Sequence, residues 1–308
     1  MRGFLAPTDH GWYQYLRARP ELEEVNFWRP GGAGFSALRP GEPFFFKLKT
    51  PHNAIGGFGQ FARYARLPVW MAWEVFGESN GVGDIEELRG RLTSLSSRSG
   101  PLHLDHQIGC IAIAFPTFFA PDDWVPVPPE WKHNIVSGRT YDLTTGAGRV
   151  LWTTCVERAV AASAVGGWTA ELAHELRYGR PHVVESRLGQ GSFRLAVIDA
   201  YGRACAVTTE HSLPVLEAAH IRPFNEGGRH EVSNGLPLRR DLHRLFDLGY
   251  VTVRPDRTFA VSHQLRDDYA NGRVYYELDG RQIAEPTRLD ERPAPELLEW
   301  HGDVVFRG

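Results

Sequence analysis

The chain has 308 residues, of which 42% are hydrophobic and 23% charged, and a formal net charge of −3. This length suits two domains of ordinary size, and the composition is typical of a soluble globular protein. No apolar run approaches the roughly 20 residues of a membrane span. The small net charge gives no argument for a polyanion as partner, so nucleic-acid binding has to be argued from individual residues.

The first part of the chain, up to about residue 125, predicts a mostly β domain. Strands are expected at Phe44–Leu48, Ala54–Ala65 and Ile108–Phe115, and the glycines of the second strand predict a bulge or a tight bend. Helices are expected at about Asp9–Arg19 and Asp84–Leu95, the latter with its first residue as N-cap.

The middle of the chain predicts a connector. Residues from Pro121 to about Gly146 are rich in proline and tryptophan, which favours an irregular segment on the surface. The stretch Arg149–Arg177 has a helical pattern, and we expect a connector, a scaffold helix pair or a dimerisation element there. A second domain is expected to begin at Arg187.

The C-terminal part predicts short strands, one helix and a hairpin. Strands are expected at Cys205–Val207 and Pro214–Ile221, and a hairpin at Tyr250–Ser262. The helix between them is expected at about Arg239–Leu248, with Gly249 as the residue that ends it.

Four residues of this part carry a chemical pattern. Asn234 follows His220 by 14 residues, His243 follows by nine more, and Asp247 by a further four. Residues i and i+4 share a helix face, so His243 and Asp247 can present an imidazole and a carboxylate to one divalent metal ion. A histidine from another segment, His220, could then deprotonate a water. The pattern indicates phosphodiester hydrolysis, which needs an activated nucleophile and a cation on the developing charge.

Three sequence segments around these residues resemble the HNH nuclease family, whose fold is the ββα-metal finger. The segments are AAHIRP at Ala218–Pro223, NGLPL at Asn234–Leu238 and DLHRLFD at Asp241–Asp247. The flanking sequences resemble the bacterial restriction-type branch of that family. The resemblance implies that His220 is the general base, that Asn234 holds the base loop by hydrogen bonds to backbone, and that His243 and Asp247 bind a single Mg, Mn or Ni ion.

One position departs from the family pattern. Many members have Asp or His immediately before the base as a further metal ligand, whereas this chain has Ala219. The missing ligand could come from Glu210, His211 or Glu217, or from water and phosphate oxygens. Three other histidines are interpreted as structural residues: His230, His263 and His301.

Arginines dominate the cations of the C-terminal half and suit bidentate phosphate contacts. The candidates for DNA contact are Arg187, Arg222, Arg239, Arg240 and Arg244. A solvated helix face is the alternative interpretation for the last three.

The N-terminal order of a polar aromatic start, GEPFFFKL and AIGGFGQFARYA resembles the PUA superfamily, including its EVE and SRA relatives. The resemblance implies a small β-barrel over about residues 1–130 that binds modified bases or RNA. Trp28, Trp70 and Trp73 are then candidates to stack on an extruded base, Phe44–Phe46 less so, and Lys47 and Lys49 would reach phosphate. Core packing is the alternative for each aromatic residue.

The three cysteines lie far apart without a CxxC pair, and the N-terminus lacks a signal-peptide pattern, so we expect a cytoplasmic protein without a zinc knuckle. The resemblance to the bacterial restriction-type branch implies that the protein is bacterial. The fold class predicted is α+β. The predicted organisation is a recognition domain at 1–130, a connector at 131–186 and an HNH domain at 187–308. The predicted function is a restriction-type, modification-dependent endonuclease acting on double-stranded DNA as a homodimer. The alternatives are a non-catalytic DNA-binding protein and an RNA-directed nuclease.

Overall fold

A computed structural model describes residues 1–31, 34–95, 100–132, 135–163 and 189–308. The chain divides into two compact units, Met1–Glu185 and Ser186–Gly308. In the described part of the chain, no helix is both long enough and apolar enough to cross a membrane.

Unit 1 is built on a seven-stranded sheet. Its strands are β1 (Arg2–Thr8), β2 (Glu24–Arg29), β3 (Pro43–Leu48), β4 (Ala54–Pro68), β5 (Gln107–Phe118), β6 (Val125–Pro126) and β7 (Arg139–Asp142). The order is β2-β5-β4-β3-β1-β7, and β6 pairs with β4 outside this path. Only β1 and β3 are parallel among the pairs of the described sheet. The three strands expected from the sequence are confirmed.

The described residues do not close into the predicted β-barrel. Within the described residues, the hydrogen-bonded path ends at β2 on one side and at β7 on the other. Closure would require these end strands to pair with each other, but β7 has four residues and pairs with β1 alone in that part of the chain. The glycines of β4 do mark irregular pairing with β5, where the register shifts between Phe58 and Gln60. A Cβ on Gly57 would lie 2.0 Å from the Thr117 carbonyl oxygen, so only glycine allows this approach.

Strand β3 is buried on both faces, which explains its continuous run of phenylalanines. Phe45 packs edge-on against Trp152, with ring centroids 6.2 Å apart. Phe46 packs against Trp12, at 5.2 Å, and Phe44 packs against Phe27, at 5.0 Å. The three phenylalanines of β3 are therefore core residues.

In the described residues of unit 1, four helices accompany the sheet: α1 (His10–Arg17), α2 (Val69–Phe76), α3 (Ile85–Ser94) and α4 (Gly146–Ser163). The two expected helices begin as predicted, because Asp9 accepts from the Trp12 N–H and Asp84 accepts from the Glu87 N–H. Helix α2 was not expected, since no polar cap marks its start. The described part of the predicted connector is helical at α4, whose Cys155 belongs to the core under the sheet. Residues 164–177 of that prediction lie outside the described residues.

Unit 2 contains α5 (Gln190–Ala200), β8 (Leu216–His220), β9 (Gly235–Arg239), α6 (Arg240–Asp247), β10 (Val251–Val253), β11 (Phe259–Val261), α7 (Gln264–Tyr269), α8 (Arg273–Tyr276) and α9 (Pro295–Val304). Strands β8 and β9 form one antiparallel pair, and β10 and β11 form another. Helix α6 buries Leu242 and Phe246 in a core shared with both pairs, including Leu216 and Phe259. This ββα arrangement places β8, β9 and α6 around one side of the core.

The strand predicted at Cys205–Val207 is wrong. These residues form a turn in which the Thr209 N–H donates to the Cys205 carbonyl. The partner of β8 is instead β9, in which Ala218 stands opposite Pro237, although proline is usually excluded from strand interiors. The predicted helix is confirmed as α6. Gly249 ends it with φ +76°, and the Tyr250 N–H donates to the Leu245 carbonyl as in a Schellman motif.

Candidate functional site

His220 lies at the end of β8 with its ring held from two sides. Its Nε2 is 2.9 Å from Nδ1 of His230, and its ring stacks on Phe193 of α5 with centroids 4.0 Å apart. Burial, together with the charges of His230 and His243, lowers the pKa of His220 to about 4. The imidazole is therefore neutral at neutral pH, which is the protonation state that a general base requires.

Asn234 is 2% exposed and connects the two ends of the loop between β8 and β9. Its Oδ1 accepts from the Arg222 N–H, and its Nδ2 donates to the carbonyls of Arg222 and Arg229 at 2.9 and 2.8 Å. A Cβ on Gly228 would lie 1.9 Å from the Arg222 carbonyl oxygen, so the loop closes this tightly only with glycine. The side chain thus holds the backbone on both sides of the loop.

His243 on α6 stands between two carboxylates. Its Nδ1 is 2.8 Å from Oε2 of Glu217 on β8, and its Nε2 is 3.5 Å from Oδ1 of Asp247, one helical turn further along. Glu217 also accepts from Arg240 Nε at 2.8 Å. Strand β8 is thereby connected to helix α6 through a charged network next to the base.

The two carboxylates differ in their pKa values. Burial acts to raise the pKa of Glu217, but its hydrogen bonds with His243 and Arg240 outweigh burial and hold it below the ordinary value. Burial raises the pKa of Asp247, and the neighbouring Glu217 adds to this, although His243 and Arg244 oppose it. Asp247 is therefore the carboxylate whose charge is less fully compensated.

The donor set of His243 and Asp247 fits a divalent cation. With the Nδ1 proton directed at Glu217, the Nε2 lone pair faces the Asp247 carboxylate, and two acceptors face each other. A cation between them would remove this repulsion. Two ligand atoms, each about 2.1 Å from a metal, lie about 3.0–3.4 Å apart at ordinary angles, close to the separation here.

The described residues contain no group of three or more His, Cys, Asp or Glu side chains placed to hold a metal ion. Of the three candidates for the missing ligand, Glu217 lies at the ring nitrogen of His243 that faces away from Asp247. Glu210 accepts from the Ser212 N–H, and His211 lies 3.2 Å from the Arg203 carbonyl. Ala219 is fully buried in the core, so its position supplies no ligand.

The arginines predicted to contact DNA occupy different environments. Arg222 donates to the Glu226 carbonyl and lies over the Trp300 ring, and Arg239 pairs with Asp241. Arg240 and Arg244 are exposed on α6 beside the carboxylates. Arg187 lies outside the described residues.

The N-terminal candidates are not all brought together. Trp28 and Lys49 line a cavity of about 330 Å³ in unit 1, together with Asp9, Trp12 and Phe27. Trp70 and Trp73 lie on α2 and are not part of this lining. Lys47 is buried, its Nζ donates to Asn53, and burial lowers its pKa with a further contribution from Lys49.

Two residues that contact His220 are not among the predicted site residues. His230 was interpreted as structural, and Phe193 was not considered. His230 follows His220 by ten residues across an irregular loop, so no helical or strand periodicity indicates their contact. The only feature of the sequence that could have indicated this contact is the presence of a histidine in the loop between His220 and Asn234.

Residues 205–254 match a family model described as HNH endonuclease. This segment of the chain is similar to HNH endonucleases. The match includes His220, Asn234, His243 and Asp247, and it confirms the resemblance predicted from their spacing. No curated protein matches the chain.

Two solved structures show low similarity. One is a tyrosine-to-phenylalanine mutant of ZmASCH from Zymomonas mobilis, with TM-score 0.35, 7% identity, and coverage of 49% of this chain and 96% of that chain. The other is the modification-dependent TagI restriction endonuclease, with TM-score 0.28, 12% identity, and coverage of 92% of this chain and 75% of that chain. The predicted PUA resemblance of the N-terminal part stays a prediction.

Proposed function

We propose that this protein is a restriction-type DNA endonuclease that hydrolyses phosphodiester bonds at the HNH segment. The carrying observation is an imidazole at His220 that is held by His230 and Phe193 and is neutral at neutral pH, together with a second histidine, His243, whose Nε2 faces Asp247. The first group can accept a proton, and the second pair can hold a single Mg, Mn or Ni ion. Both are needed to cut a phosphodiester at neutral pH.

In the proposed reaction, His220 removes a proton from a water as the water oxygen bonds to phosphorus. The bond from phosphorus to the leaving oxygen then breaks, and that oxygen takes up a proton from solvent. Asn234 keeps the base loop in place. Arg240 and Arg244 would contact the phosphates, and His243 and Asp247 would hold the cation. The bound cation supplies the positive charge that stabilises the scissile phosphate.

The cavity of unit 1 is the proposed site for DNA recognition. Its volume of about 330 Å³ lies in the range of small-ligand sites. Phe27 offers partly exposed aromatic surface for stacking beside the buried rings of Trp12 and Trp28, while Asp9 and Lys49 offer hydrogen-bond partners of both kinds for a base edge. This combination supports recognition of a modified base taken out of the duplex.

One HNH site cuts one strand, so a double-strand cut requires two chains or two successive events. We therefore propose a homodimer on double-stranded DNA. Sedimentation of the protein with a duplex carrying one target would distinguish one bound chain from two.

The test is a plasmid nicking assay with Mg, Mn and Ni on unmodified and modified DNA. We expect wild-type protein to convert supercoiled plasmid, and His220→Ala to lose this activity. His263→Ala, at an exposed histidine outside the HNH segment, is the matched control and should cut normally. If equal amounts of supercoiled plasmid remain with wild type and with His220→Ala under every metal, the proposal that the protein is an endonuclease is rejected. Retained DNA binding in that case would support the second candidate function, a DNA-binding protein without nuclease activity. Ala219 favours this candidate, because its side chain cannot bind a metal.

A further inference from the structure

The contact between His220 and His230 determines which ring nitrogen of the proposed base is free. The two facing atoms, Nε2 of His220 and Nδ1 of His230, are 2.9 Å apart. One proton lies between two imidazole nitrogens at this distance, so one ring donates and the other accepts. If His220 donates, its Nδ1 carries a lone pair. If His220 accepts, its neutral ring has a proton on Nδ1 and no basic nitrogen left for a water.

Packing fixes both rings in the orientation that this contact needs. His220 stacks on Phe193 at an interplanar angle of 14°, and His230 stacks on Phe224 at 7° with centroids 5.0 Å apart. The two imidazoles meet edge to face, at 64°. Rotation of either ring out of its plane would break a stacking contact together with the hydrogen bond. A half-turn about χ2 would keep the stacking contact but would move the bonding nitrogen away from its partner.

Asn234 controls the distance between the two histidines. It binds the backbone of Arg222, two residues after His220, and the carbonyl of Arg229, immediately before His230. A single buried amide therefore holds both chain segments that carry the pair.

We propose that His230 is a positioning residue for the base: its Nδ1 accepts the Nε2 proton of His220, which leaves Nδ1 of His220 to take the proton from water. The catalytic consequence rests on the proposed nuclease function, whereas the arrangement of protons does not. When Nδ1 of His220 gains a proton, the ring becomes cationic and its hydrogen bond to His230 strengthens. His230 thereby stabilises the charge that the reaction places on the base.

The kinetic test compares two substitutions in the full-length protein. His230→Ala removes the acceptor, while the Oδ1 of His230→Asn can accept at the position of Nδ1. We expect kcat for nicking to fall about 10²-fold in the first variant with KM nearly unchanged. The second should recover activity to within about tenfold of wild type. Near-wild-type kcat in His230→Ala, or no recovery in a folded His230→Asn, would overturn the proposal.

A spectroscopic test on the wild-type protein does not depend on activity or on the folding of variants. Correlation spectra of protein labelled with ¹⁵N in its histidine rings report which nitrogen carries the proton, and His220→Gln assigns the signals. We expect His220 with a proton on Nε2 and none on Nδ1. The opposite arrangement would overturn the proposal. If His220 carries its proton on Nε2 but the protein cuts no DNA, the nuclease function is rejected and the proposed hydrogen bond between the two histidines is retained.

Discussion

Oε2 of Glu217 on β8 lies 2.8 Å from Nδ1 of His243 on α6, across 26 residues of sequence. A carboxylate at one ring nitrogen fixes the tautomer of a histidine and directs the other nitrogen outward. Here that other nitrogen faces Asp247. Glu217 therefore orients the proposed metal ligand and also joins the strand of the base to the helix of the ligand.

Replacing Glu217 should weaken metal binding more than it weakens chemistry. In Glu217→Gln we expect the metal concentration for half-maximal nicking to rise about 10- to 100-fold, because His243 loses its orienting charge. The measurement is nicking rate against Mn concentration, with Glu226→Gln on an exposed loop as control. An unchanged half-saturation would show that Glu217 does not act through His243.

Asn234 should be important for stability as well as for activity. Asn234→Ala removes three hydrogen bonds from a nearly inaccessible site and leaves backbone groups of Arg222 and Arg229 without them. We expect the free energy of unfolding to fall by about 2–4 kcal/mol. Urea unfolding measures it, and Asn225→Ala, in the same loop but exposed, should lie within about 0.5 kcal/mol of wild type. A similarly small change for Asn234→Ala would show that its hydrogen bonds do not stabilise the loop between β8 and β9.

His301 should make the stability depend on pH. It is 2% exposed, stacks on Phe246, and lies 2.9 Å from Oγ1 of Thr252. Burial lowers its pKa from 6.5 to about 4, although a hydrogen bond to the Phe246 carbonyl opposes the shift. Between these values the unfolded chain binds a proton that the folded chain does not. The stability present above pH 6.5 is therefore lost as the pH falls towards 4, and His220 adds in the same direction.

For His301 alone, the loss between pH 7 and pH 5 should be about 2 kcal/mol. Unfolding by urea at both pH values should show that His301→Gln reduces the pH-dependent difference by this amount. His263→Gln, at an exposed histidine, should keep the wild-type difference. Equal pH dependence in wild type and His301→Gln would show that His301 is protonated in the folded protein.

Lys49 tests the cavity of unit 1. Lys49→Ala should weaken binding of the preferred modified duplex about tenfold, because a charge-assisted hydrogen bond in the cavity disappears. Fluorescence anisotropy measures the affinity, and Lys132→Ala removes the same charge at an exposed position outside the cavity lining. If both variants bind modified DNA equally well, Lys49 acts through general charge or has no role in recognition.

Local patterns in the sequence determined several features. The four-residue spacing of His243 and Asp247 places both on one face of α6, and Gly249 ends that helix because its φ of +76° is accessible to glycine. The aromatic run at Phe44–Leu48 predicted the strand that is β3. The HNH resemblance followed from three short segments and the spacing between their residues, which can be identified without knowing the fold.

Only the tertiary structure decided the partners of these residues. The pairing of β8 with β9, the approach of Glu217 to His243, and the contact of His220 with His230 join residues ten or more positions apart. No period of 2 or 3.6 residues encodes such contacts, because they arise when the core of unit 2 brings separate elements together. The open path of the N-terminal sheet has the same origin, since pairing between distant strands is set by packing rather than by the strands' own sequences.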